Sequence, residues 1–360
     1  MLLSSPEDYG LTEQQTLAQQ VTDDPPPEFD SFWALLREEV ATLPSRWRGT
    51  IDGPIGQVLI DSSRAVRVVA RLTMPGARAG DRPGSGAGPR PRGVVITVVG
   101  PPPIPHEARE EALLRAIPGA FPEAPEPWLP LGLATLRLYV RGCGPSATEN
   151  VDLPEGWILD KLGVADSWIV RGAVADVVQT YRCARRHFGP DMPIGLHGDS
   201  LGAGLAVIAA AQLHAMGDGP HRLALAHPDL GAWRWRTDHY CRGLGGQVNE
   251  MLVAVREESA RFLETMLFFD AAYHARAVEC PTLCKLAARD DVVPAPAAAA
   301  VFNAVRSGRK WPFVTSYGHF DGGLQDARRH ALFQELHPLF LDPDREPEEL
   351  LAEPAGHPEM

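Results

Sequence analysis

Residues 194–213 read IGLHGDSLGAGLAVIAAAQL. A short apolar run meets Gly198-Asp199-Ser200-Leu201-Gly202, and an alanine-rich apolar segment follows. The run predicts a buried strand and the segment a helix, so the residues between them must reverse the chain in a tight turn. Positions two before and two after Ser200 have no room for bulk in such a turn, and Gly198 and Gly202 stand there. Ser200 is then held on strained backbone, and Leu201 offers its backbone N–H at a helix N-terminus, where negative charge is welcome. A G-x-S-x-G turn between a strand and a helix points to a nucleophilic serine, with the Leu201 N–H aimed at a developing oxyanion. The competing reading is a glycine-rich turn that carries a solvated serine.

Outward from this turn the sequence alternates. Strands are predicted over 94–99, 133–140, 193–198, 222–228, 281–288 and 310–316. Helices are predicted over about 166–187, after Ser200, around 247–265, around 295–306 and around 323–337. This alternation implies an α/β fold, a mostly parallel central sheet with helices on both faces. Two further strand-like runs lie in 55–74, and EFDSFWALLREEV (28–40) has the spacing of an amphipathic helix. The Gly/Pro/Arg-rich stretch 75–92 reads as a loop between strands, because the strand pattern resumes directly after it. Residues 1–50 read as an N-terminal arm and helix packed on a main domain of 51–342, with 343–360 a polar tail.

A nucleophilic serine needs a base and an acid to orient it. The strand 281–288 runs into AARDDVVP, which places Asp290 and Asp291 at its C-terminal end, and only one of them can face a single histidine. The other is free to cap the helix that follows. The last strand runs into SYGHFDGG, which places His319 in a glycine-flanked loop. Asp321 is too near His319 in sequence to orient it easily. Functional groups collect at the C-terminal edge of a parallel sheet, and Ser, Asp, His is the order such a triad takes here. His197 reads as a packed strand residue. His106, His214, His221, His227, His239 and His274 show no metal-ligand spacing, so no metal and no cofactor is expected. Trp128, Trp157 and Trp168 read as packing residues before pocket residues.

The 360 residues carry a net charge of −12, which disfavours nucleic acid and anionic membrane surfaces as partners. WRWRTDHYCR (233–242) is the one basic-aromatic stretch, and its arginines read as solvated or paired. Five scattered cysteines without a C-x-x-C fit a reducing compartment. No run approaches the length of a membrane span and no secretory signal is visible, so a cytoplasmic protein is expected.

Several stretches, taken in order, resemble the acetyl xylan esterase and cephalosporin C deacetylase family of α/β-hydrolases. They are PPEFDSFW (26–33), YVRGCG (139–144), GWILDK (156–161), RGAVADVVQTYRCA (171–184), RDDVVPAPAAAAVFNAV (289–305) and YGHF (317–320). The resemblance runs from about residue 25 to about residue 340. It implies an α/β-hydrolase fold, with Ser200 as nucleophile, Asp290 (four before Pro294) as acid and His319 as base. It also implies the Leu201 N–H as one oxyanion donor. The substrates it implies are small acetylated carbohydrates and related esters, and family members are commonly homo-oligomers. The chain departs from the family at two places. The elbow reads Gly-Asp-Ser-Leu-Gly-Ala where the family has G-G-S-Q-G-G. The loop after strand 94–99 reads Val99-Gly100-Pro101 where the family has H-G-Y, whose Tyr N–H is the second oxyanion donor. Pro101 in that place has no N–H to give. A longer acyl ester, a thioester, an amide, or a binding role with little turnover are the alternatives this loop raises. Residues 101–130, rich in Pro and Glu, are expected to cover the C-terminal edge of the sheet.

Overall fold

The computed structural model describes residues 9–49, 55–76, 90–101, 126–148, 156–316, 319 and 326–352. Among them, nine strands form one sheet in the order β1-β2-β3-β5-β4-β6-β7-β8-β9. They are β1 (Trp47–Arg48), β2 (Ile55–Asp61), β3 (Arg67–Thr73), β4 (Gly93–Val99), β5 (Leu133–Tyr139), β6 (Ile194–Asp199), β7 (Leu223–Ala226), β8 (Thr282–Ala287) and β9 (Lys310–Thr315). From β5 to β9 every pairing is parallel, as the alternation of strands and helices requires. The runs in 55–74 form an antiparallel pair that joins β5 at one side of the sheet.

The helices are α1 (Glu13–Leu17), α2 (Phe29–Thr42), α3 (Ile169–Phe188), α4 (Leu201–Ala215), α5 (Trp233–Thr237), α6 (Gly243–Ala254), α7 (Ser259–Leu267), α8 (Ala271–Ala275), α9 (Ala295–Ala304), α10 (Ala327–Leu341) and α11 (Pro347–Leu350). Strand alternation divides the core between two faces. Val94, Ile96, Val98, Leu196, Leu225 and Cys284 join the larger cluster, with α3, α4 and α9. Val95, Ala224, Ala226 and Leu283 join the smaller one, beneath Phe333, Leu336 and Phe340 of α10. Helix α4 is apolar all round and buried from Leu201 to Leu213, as a helix at the centre of the molecule must be. The helix expected over 247–265 is two helices, α6 and α7. The charged run Arg256–Glu258 forms a 3₁₀ turn with no buried residue between them, because its side chains have no apolar face to follow. The last long helix starts later than expected and runs through Pro338.

Trp128, Trp157 and Trp168 are core residues, as expected. Trp168 Nε1 donates to Ile158 O at 2.7 Å, and Trp157 Nε1 to Arg141 O at 2.8 Å. Arg141, just past β5, crosses to α3, where Asp176 accepts from its Nε at 3.0 Å, its Nη2 at 2.7 Å and its backbone N at 2.9 Å. Gly172 makes the crossing possible, since a Cβ there would occupy the space of the guanidinium. Side chains from late in the chain fasten the N-terminal arm. Asn303 Nδ2 donates to Leu17 O and Gln19 O, both at 2.8 Å. Arg276 Nη2 donates to Val21 O at 2.7 Å and to Asp23 O at 2.9 Å.

Candidate active site

The carboxyl ends of β6, β7, β8 and β9 lead into Ser200, His227, Asp290 and His319 in turn. Ser200 has φ 53° and ψ −123°, a strained conformation for a residue with a side chain. The glycines of the motif make it possible. A Cβ on Gly198 would run into the Gly202 carbonyl, and one on Gly202 would run into Val98 O at the end of β4. Gly204 lets α4 close onto Asp229 O in the same way. Ser200 N donates to Ala226 O at 2.9 Å, and Ser200 O accepts from Asp229 N at 3.1 Å, so the turn is fixed to the loop after β7.

Asp290 is buried, and its two oxygens do different work. Oδ1 accepts from the backbone N–H groups of Val292 at 2.9 Å and Val293 at 3.0 Å, and this fixes the carboxylate plane. Oδ2 accepts from His319 Nδ1 at 2.7 Å. Burial opposes charge on His319, but the adjoining Asp290 carboxylate outweighs it and raises the imidazole pKa to about 9. Asp291 does not cap α9, whose N-cap is Pro294 with no side-chain cap bond. It turns away and takes a two-pronged bond from Arg242, Nε and Nη2 each at 2.7 Å, and a guanidinium matches a carboxylate better than two backbone amides do. Asp321 lies outside the described residues, as do 102–125.

Leu201 is the first residue of α4, so its N–H has no acceptor within the helix. A Cβ on Gly100 would lie 3.4 Å from the Leu201 side chain, so Gly100, just past β4, sits against the elbow. Pro101 itself can donate no hydrogen bond there.

His227 is a residue that sequence reasoning passed over. It is buried, has φ 48°, and its Nδ1 lies 3.3 Å from Asp290 Oδ2. Its ring centroid is 5.0 Å from that of His319. The one available signal was its place, directly after β7 at the edge where the other site residues collect. Donor atoms of His227, Asp290 and His319 all lie within 4.8 Å of one another, the only set among the described residues that could hold a metal ion. The short His319–Asp290 hydrogen bond already uses two of these donors with each other. His197 is a packing residue: Nδ1 is 3.0 Å from Ala224 O and the ring stacks on His337. In the 233–242 stretch, Arg234 pairs with Asp23, Arg236 with Asp229 and Arg242 with Asp291.

A mostly parallel sheet with an antiparallel flank, a strained serine between strand and helix, and an acid and histidine at later strand ends define the α/β-hydrolase fold. Solved structures agree. The chain is similar to acetyl xylan esterase from Paenibacillus sp. R4, with a TM-score of 0.67 and 17% identity over 90% of this chain and 99% of that one. It is similar to acetyl xylan esterase 1 from Thermoanaerobacterium sp. JW/SL YS485, again with a TM-score of 0.67 and 17% identity, over 92% of this chain and 99% of that one. It is also similar to an acylaminoacyl peptidase of Pyrococcus horikoshii, with a TM-score of 0.51 and 12% identity, over 85% of this chain and 44% of that one. No protein-family model matches the sequence, and no curated protein matches it. Among the described residues, no helix is long and apolar enough to cross a membrane.

Proposed function

We propose that this chain is a serine ester hydrolase that removes acetyl groups from small carbohydrate or related esters through an acyl-enzyme. The observation that carries the reading is the 2.7 Å bond from His319 Nδ1 to Asp290, at the sheet edge where the strained Ser200 ends β6. With the proton held on Nδ1, Nε2 is the basic nitrogen. His319 takes the Ser200 hydroxyl proton as Oγ bonds to the ester carbonyl carbon. The Leu201 N–H meets the oxyanion. The carbonyl re-forms, the C–O bond to the alcohol breaks, and His319 hands the alcohol its proton. Water then repeats the sequence on the acyl-enzyme, releasing acetate and Ser200.

The choice of acetate is supported by the motif resemblance, which includes cephalosporin C deacetylases, and by the two acetyl xylan esterases of like fold. Pro101 favours a second reading, in which the same triad acts on a longer acyl ester, a thioester or an amide. Five free, buried cysteines support a cytoplasmic setting, and homo-oligomers are expected from the resemblance alone. Hydrolysis of p-nitrophenyl acetate by the protein, beside Ser200→Ala, tests the reading. Turnover that falls by at least about 10⁴-fold in the variant is the expected result. Equal rates for the two proteins would remove Ser200 as the nucleophile. A preference for butyrate or longer chains over acetate would move the assignment to the second reading.

A further inference from the structure

The Asp290 carboxylate has room for about four hydrogen bonds, and the described structure fills three of them: Val292 N, Val293 N and His319 Nδ1. His227 Nδ1 stands 3.3 Å from the same Oδ2 that receives His319. It is buried and makes no hydrogen bond, the nearby Asp290 included. A buried ring nitrogen without a partner is costly, and the carboxylate is the acceptor at hand. The distance is slightly longer than an ordinary N–H···O bond.

The backbone sets this placement. His227 N donates to Lys285 O at 2.9 Å, and the preceding Ala226 O accepts from Ser200 N at 2.9 Å. His227 thus lies between the serine turn and β8, in a left-handed conformation that aims its ring at the acid. Asp290 and His319 face it on one side. Burial, with Lys285 of β8, His319 and His330 of α10, holds the imidazole well below its ordinary pKa. A neutral ring with its proton on Nδ1 needs only a small turn to donate to Oδ2, and it adds no positive charge beside His319.

We infer that His227 is a positioning residue for the Ser200–Asp290–His319 site, the second imidazole on the acid, which shares Oδ2 with His319 and limits how tightly Asp290 holds the His319 proton. The inference rests on the ester hydrolase reading. Its consequence is kinetic: with one donor fewer, the carboxylate grips the His319 proton more strongly and the imidazole is a base only at higher pH.

The test compares the whole protein with His227→Phe, which keeps a ring, and with His227→Asn, whose amide N–H can stand where Nδ1–H does and which tolerates positive φ. In His227→Phe, the acid limb of kcat/KM on p-nitrophenyl acetate moves up by about half a pH unit, and kcat below that limb falls about threefold with KM within about twofold. His227→Asn returns both toward wild type. A folded His227→Phe with the wild-type limb, or Phe and Asn variants with the same loss, overturns the proposal. A readout independent of turnover separates this from failure of the hydrolase reading. The low-field proton resonance of His319 Nδ1–H is expected to shift in His227→Phe and to recover in His227→Asn. A resonance unmoved in both variants overturns the proposal even where the enzyme is active, and a shift that Asn reverses supports it even where no ester is cleaved.

Discussion

His319 has the same proton in two ledgers, stability and catalysis, with opposite signs. Its pKa stands at about 9 in the fold against 6.5 in an unfolded chain. The charged pair with Asp290 therefore contributes its full stability below 6.5, and that contribution fades as pH rises through about 9. The proposed reaction needs the neutral ring, so on that reading kcat/KM climbs over the same window. Denaturation midpoints measured across this range should fall with pH in the wild type and stay flatter in His319→Gln, while the pH–rate curve rises. A site pKa near 6.5 in both measurements would contradict the pair's geometry. At this scale the sequence was legible where geometry leaves few choices. Ser200 was marked by two glycines that no larger residue can replace, and Asp290 and His319 by their places past strand ends. His227 was hidden because the role inferred for it depends on a left-handed backbone in the loop after β7, and His-Pro-Asp carries no motif that announces it.

The join between β5 and α3 depends on a buried ion pair of Arg141 with Asp176, reached across Gly172. Breaking such a pair from one side leaves a charge without a partner in the core. Arg141→Met is expected to cost about 3–5 kcal/mol, read as a shift in the urea midpoint at constant m. Gly172→Ala is expected to destabilise as well, by driving the guanidinium from Asp176, and a double variant with Arg141→Met should lose less than the sum of the two. The pairing was not legible in the sequence, although YVRGCG and RGAVAD both stood out, because neither segment shows which partner the fold brings to it. Strands were the elements read best, since continuous apolar runs bounded by Pro and Gly have few alternatives. The single helix expected over 247–265 failed at Arg256–Glu258, where three charged residues interrupt the apolar face and the chain turns.

Across the whole molecule, all five cysteines are buried and unpaired. Burial raises the thiol pKa of Cys183 and Cys280 to about 12, and raises those of Cys143, Cys241 and Cys284 as well. A thiol reagent that attacks thiolate should therefore modify the native protein very slowly, yet titrate all five groups in denaturant. Fast modification of even one group in the native state would show that a face of the core opens. The α/β class was legible at this scale because strand and helix alternate so regularly. The antiparallel flank was not, because strand runs in 55–74 carry no mark of direction.

The fastening of the N-terminal arm has a consequence for biosynthesis. Leu17 to Asp23 leave the ribosome well before the groups that hold them: Arg234 follows Asp23 by 211 residues, and Arg276 and Asn303 come later still. The arm must wait for residues made long after it before it can dock fully. Until Asn303 is made the arm lacks the partner of Leu17 and Gln19, and a nascent chain halted before it should leave that end of the arm open to protease, however well the strands behind it have begun to pair.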